Sequence, residues 1–124
     1  MKMHLEASGN LNTVRNYTGA AVTVNDQAYD QSLVVLPDRV ITGHCPRNVE
    51  ALADDHLAEI VSLTPEIVLI GTGRSLHMLP PEKMRTLIEA HLGFEIMDTG
   101  AACRTFNILV AEGRRVAALL LLDP

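Results

Sequence analysis

Hydrophobic positions change their period along this chain. Short runs broken by turn residues fill the first third, and helix-spaced stripes alternate with unbroken aliphatic runs in the second half. Ala20–Val24 reads Ala-Ala-Val-Thr-Val and gives way to Asn25-Asp26, a turn pair. Ser32–Leu36 carries Leu-Val-Val-Leu and closes on Pro37-Asp38. Val40-Ile41-Thr42 follows and stops at Gly43. Leu11–Tyr17 adds one more strand on a fainter pattern. Short β segments of this kind predict an antiparallel meander.

Helix and strand then alternate. Asp54 or Asp55 is suited to cap a short helix with Leu57, Ile60 and Val61 on one face, which Thr64-Pro65 ends. Ile67–Ile70 is β-branched and apolar with no polar alternation, the signature of a strand covered on both faces. Gly71-Thr72-Gly73 ends it. Pro80-Pro81 opens a second helix, where the missing amide costs nothing. Met84, Leu87, Ile88 and Leu92 form its predicted stripe and Gly93 its stop. Phe94–Met97 is a strand. Asp98 or Thr99 caps a third helix running to about Glu112, with Gly113 as its end. Val116–Leu122, apolar throughout, is the last strand. The strands 67–70, 94–97 and 116–122 are expected in one sheet, with the first and last inside it.

The third helix carries apolar residues on two sides. Ala102, Phe106, Leu109 and Val110 make the expected core stripe, yet Ala101, Ile108 and Ala111 lie opposite, beside Arg104. A surface helix is polar there. Either the protein's own N-terminal strands cover that side or a partner does.

Composition narrows the reading. The 124 residues fit one domain, residues 1–124, and a chain of this size buries about two-thirds of its unfolded surface. Aromatic residues make up 3%, so the core is aliphatic and a base-stacking platform is not expected. The net charge of −5 lies in residues 1–70, with four Lys/Arg against nine Asp/Glu, while residues 71–124 hold six of each. No half is basic, which argues against nucleic acid as a partner. Cys45 and Cys103 make no disulfide framework, and free thiols point to a reducing cytoplasm. Met1–Glu6 has no apolar run and reads as no signal peptide. Val116–Leu122 falls far short of the ~20 residues a membrane span needs, so no stable membrane insertion is expected.

Candidate chemistry is sparse. Gly71-Thr72-Gly73 follows a buried strand, but Leu76 stands where a dinucleotide fingerprint needs glycine, and no Gly-Lys-Ser/Thr follows. These glycines read as a turn that needs positive φ. The histidines His4, His44, His56, His77 and His91 show no helical zinc spacing, and no Cys-x-x-Cys occurs, so neither metal nor cofactor is expected. His44 and Cys45 are adjacent, but neighbours on extended chain point apart. Cys103 lies early in the third helix beside Arg104, where helix terminus and cation would lower a thiol pKa. The competing reading is a small buried hydrophobe. Asp98 and Thr99 read as caps; Arg104, Asn107 and Glu112 read as surface or a polar network.

Two stretches carry a family resemblance. Pro65–Gly73 (Pro-Glu-Ile-Val-Leu-Ile-Gly-Thr-Gly) and Met97–Ala118, with its run Asp-Thr-Gly-Ala-Ala-Cys-Arg-Thr-Phe-Asn-Ile-Leu-Val-Ala-Glu-Gly, resemble the signatures of a small α/β domain family of unknown function. Its eukaryotic members include the mitochondrial complex I assembly factor 3 and an adipogenesis-associated protein. The likeness is loose before residue 64 and close after it. Phe106 departs from it, standing where much of the family has Tyr. No mitochondrial targeting extension is read at Met1–Glu6, so a bacterial member is expected. The resemblance implies a compact three-layer β/β/α domain: a mixed sheet, a second β layer with a hammerhead-like motif, and helices packed on one side. It implies no established reaction, and for the mitochondrial relatives it implies help in assembling a respiratory complex.

Two function classes remain. The first is a protein-binding or assembly module, monomer or homodimer, with Gly71, Thr72, Gly73, Arg74, Asp98, Thr99, Arg104, Asn107 and Ile108 as its expected binding residues. The second is a small enzyme or ligand binder centred on Gly71–Arg74, Asp98, Cys103 and Arg104. A closed pocket where these residues converge would favour the second; an open apolar patch on the third helix would favour the first.

Overall fold

All five residues of Val116–Leu120 are buried, and this strand forms the middle of the larger of two sheets. The computed structural model describes residues 11–122, so Met1–Glu6 and His4 lie outside the described residues. In chain order the elements are β1 (Val14–Tyr17), β2 (Val22–Val24), β3 (Gln27–Tyr29), β4 (Leu33–Leu36), β5 (Arg39–Ile41) and α1 (Asp54–Val61). Then follow β6 (Ile67–Gly71), a 3₁₀ turn (Pro81–Met84) running into α2 (Arg85–Glu89), β7 (Gly93–Met97), α3 (Thr99–Ala111) and β8 (Val116–Leu120).

The N-terminal strands do not form one meander. β1, β2 and β3 make a small antiparallel sheet, while β4 and β5 leave it as a hairpin that joins the larger sheet through β8. The larger sheet runs β5-β4-β8-β6-β7 and is mixed: β4 pairs antiparallel with β5 and β8, and β6 pairs parallel with β8 and β7. As the apolar runs require, β6 and β8 are interior. Alternate residues of one strand feed opposite faces. Leu33, Val35, Leu69, Val116, Ala118 and Leu120 join one core with β1, β2 and α3. Val34, Leu36, Val68, Ile70, Ala117 and Leu119 join a second core with α1, α2, Val49 and Leu52.

This topology decides where the helices go. The chain steps from β6 outward to β7 through α2, then back past β6 to β8 through α3. Right-handed crossovers taken in opposite directions put their helices on opposite faces. So α1 and α2 cover one face, as the β/β/α layering implies, but α3 joins the small sheet on the other. The expectation that helices pack on one side is corrected for α3 alone.

Three local readings change. The residue capping α1 is Ala53, whose N–H donates to His56 Nδ1 at 3.0 Å; Asp54 and Asp55 are the first helical residues. The stripe on α2 is shorter than predicted. Its 3₁₀ start has three residues per turn, which rotates the face so that Met84 and Leu87 are buried while Ile88 is 50% exposed. The turn after α2 is made by His91 at a φ of 59°, and Gly93 is already the first residue of β7. Among the described residues no helix is long and apolar enough to cross a membrane.

Candidate functional site

The loops after β6 and β7 lead to opposite faces of the sheet, so Gly71–Arg74 and Asp98-Thr99 meet at a topological switch point. In open α/β sheets ligands bind in the crevice at such points. Here the crevice is stitched shut. Thr72 N–H donates to the Met97 carbonyl at 2.9 Å, and Thr99 N–H to the Gly73 carbonyl at 2.9 Å. Gly73 N–H donates to Thr99 Oγ1 at 2.8 Å, and that hydroxyl donates to the Leu121 carbonyl at 2.7 Å. The Thr72 hydroxyl donates to the Ser75 carbonyl at 2.7 Å and accepts from His77 N–H at 3.0 Å.

Gly71 explains how the two loops come so close. A Cβ there would lie 2.8 Å from Thr99 Cα and 3.2 Å from Ala102 Cβ, so only glycine lets α3 approach the end of β6. Gly73 adopts a φ of 110°, the positive-φ turn the sequence suggested. Arg74 leaves the loop to lay its guanidinium over Gly19, whose φ is 94°.

α3 starts where its cap residue stands: Asp98 Oδ1 accepts the Ala101 N–H at 2.9 Å. One side of the helix, Thr99, Ala102, Phe106 and Val110, is buried against the large sheet. The adjacent side meets β1. Asn107 Oδ1 accepts the Val14 N–H at 2.8 Å, and its Nδ2 donates to the Val14 carbonyl at 2.9 Å. The Tyr17 ring lies over Gly100. Between β1 and α3 runs an open groove of about 240 Å³, with Arg15 on one wall and Arg104 on the other.

The third side of α3 faces outward. Arg104 and Ala111 are exposed, Ala101 is half-buried and Ile108 is 58% exposed. The N-terminal strands therefore cover Cys103 and Asn107 and leave Ile108 in the open. Cys103 is a buried thiol. Burial pushes its pKa up to about 11; the Arg104 charge lowers it and the Asp98 charge raises it. Desolvation thus outweighs the helix terminus and cation that would favour a thiolate.

Arg114 and Arg115 serve the fold. Arg114 Nε donates to Glu66 Oε2 and Arg115 N–H to Glu66 Oε1, both at 2.9 Å, tying the starts of β6 and β8 together. These bonds hold the Glu66 carboxyl below its ordinary value, the Arg115 backbone bond contributing most.

One constellation escaped the sequence reading. His44 Nε2 lies 3.1 Å from Asp55 Oδ2, and His56 Nδ1 lies 3.8 Å from Asp55 Oδ1. The two imidazole rings are 4.8 Å apart. His44 comes from the loop after β5, and Asp55 and His56 from the first turn of α1. Burial opposes ionisation of Asp55, but the charges of His56 and His44 and the His44 hydrogen bond outweigh it and hold the carboxyl below its usual value. No short-range spacing announces this group, because His44 and Asp55 are eleven positions apart with a loop between them. Gly43, which ends the run Val40–Thr42, adopts a φ of 101° just before His44.

Comparison with known proteins gives a coherent picture. The family model for a protein of unknown function, DUF498/DUF598, matches residues 14–121. A crystal structure of a Bordetella parapertussis protein superposes with a TM-score of 0.83 at 39% identity, covering 91% of this chain and 97% of that one. The 13 kDa major membrane protein of Francisella tularensis subsp. holarctica is 27% identical over 108 residues, 86% of this chain and 88% of its own length. The NADH dehydrogenase (ubiquinone) 1 alpha subcomplex assembly factor 3 of Bos taurus is 28% identical over 113 residues, 90% of this chain but 61% of its own length.

Proposed function

This chain belongs to the DUF498/DUF598 family of proteins of unknown function, and we propose that it works by binding a protein partner in an assembly-type role. The observation that carries this reading is Ile108, a large aliphatic side chain 58% exposed at the centre of α3's outward face. Arg104 stands one turn before it on the same face. Arg15 and Arg104 line the groove alongside, which suits a partner that sets an apolar residue on Ile108 and acidic groups against the two arginines. Two further facts support binding over a reaction: the Cys103 thiol is held neutral, and internal hydrogen bonds occupy the switch-point crevice.

The likeness to a NADH dehydrogenase assembly factor suggests the partner class, a subunit or assembly intermediate of a respiratory NADH dehydrogenase. The expected setting is the cytoplasm, which the free thiols Cys45 and Cys103 fit. A photo-crosslinking residue at position 108 in living cells tests this. Crosslinks to NADH dehydrogenase subunits support the proposal. Crosslinks to none of these subunits, or the same crosslinks from a control position on α2, contradict it.

A further inference from the structure

We infer that His44, Asp55 and His56 form a binding site for a divalent transition-metal ion of the zinc class. The ligand atoms of the three side chains all lie within 4.8 Å of one another. The ligands of a tetrahedral ion are roughly 3.4 Å apart, given metal–ligand bonds of about 2.0–2.1 Å. His44 Nε2 lies 3.1 Å from Asp55 Oδ2 and His56 Nδ1 lies 3.8 Å from Asp55 Oδ1, on either side of that value though to different oxygens of the carboxylate. The side chains of His44 and Asp55 are both exposed, which leaves them room to rotate towards an ion.

The donor set selects the ion. Two imidazoles and one carboxylate suit zinc, cobalt or nickel; calcium and magnesium prefer all-oxygen shells. Three protein ligands leave a fourth position to water. Cys45 does not supply it: its Sγ points to the Ile41 carbonyl at 3.9 Å. His56 Nδ1 accepts the Ala53 N–H at 3.0 Å. Coordination through Nδ1 exchanges that hydrogen bond for a metal bond. His44 frees its Nε2 by carrying its proton on Nδ1 instead. A bound ion would pin the loop after β5 to the first turn of α1.

The full-length protein is titrated with zinc chloride by calorimetry and with cobalt chloride by visible absorption. The expected result is one equivalent bound, a tetrahedral cobalt spectrum, and a higher unfolding temperature in zinc. His44→Gln and Asp55→Asn should each weaken binding about tenfold or more while leaving the circular dichroism spectrum unchanged. Absence of saturable one-equivalent binding overturns the site. So does equal affinity in wild type and both variants, which would assign the ion to other side chains, and so does displacement of zinc by millimolar magnesium.

Discussion

The carboxamide of Asn107 on α3 pairs with both backbone groups of Val14 on β1, as the next strand of a ladder would. The contact joins residues 93 apart in sequence and fastens the small sheet to the helix that the large sheet already holds.

Asn107→Ala should therefore lower stability by about 2 kcal/mol, since it removes two hydrogen bonds and strands two backbone groups. Asn107→Asp should cost more, because it sets a carboxylate oxygen against the Val14 carbonyl oxygen, a repulsion that alanine avoids. Urea unfolding of the three proteins gives the comparison; equal midpoints would mean that β1 holds without this tether.

Closure of the switch point is tested by Gly71→Ala and Thr99→Val. The added methyl meets the Thr99 backbone at 2.8 Å, an overpacking that costs about 1–3 kcal/mol. Thr99→Val keeps the volume but deserts the Gly73 amide and the Leu121 carbonyl, with a loss of about 2 kcal/mol or more. Thermal unfolding should show both losses. A Gly71→Ala protein as stable as wild type would mean that α3 has slack there.

Much of this architecture was legible because burial leaves a strong imprint on long elements. The unbroken apolar runs of β6 and β8 marked interior strands, and Asp98 and Gly113 marked the ends of α3. β3 was missed because Gln27–Tyr29 is three residues long with two exposed side chains, too little pattern to register. An α-helical period carried across the 3₁₀ turn puts Ile88 on the buried face, whereas the tighter turn leaves it half-exposed. The site was legible only in part. Ile108 declared itself as an apolar residue on a polar face, but that β1 covers the neighbouring side and stops short of Ile108 is a fact of tertiary packing. The meeting of His44 with Asp55 and His56 likewise depends on how one loop folds back.

Cys103 should resist modification. With the residue 5% exposed and its thiol pKa raised to about 11, a disulfide reagent at pH 8 should label it only after denaturant is added. Because the unfolded thiol ionises from about 9.0 while the folded one stays neutral to about 11, its contribution to stability is complete below pH 9 and is lost as pH rises towards 11. Rapid labelling of the native protein would revive a reaction centred on this thiol.

Glu66 works in the opposite direction. Its folded carboxyl titrates below the ordinary 4.5, so the clamp on Arg114 and Arg115 contributes stability above that pH and loses it as pH falls through the lowered value. Glu66→Gln should be less stable than wild type at pH 7, and the gap should narrow below pH 4.5. A gap independent of pH would show that the carboxylate charge adds nothing.

The outward face of α3 is the centre of this account, and Ile108→Asp tests it most directly. Stability is measured by urea unfolding, and partner capture by affinity purification followed by detection of NADH dehydrogenase subunits. The account predicts an unfolding midpoint close to wild type, because an exposed position tolerates a charge, together with loss of capture; Arg104→Ala should weaken capture with the fold intact. Global unfolding of Ile108→Asp, or undiminished capture by both variants, would contradict it.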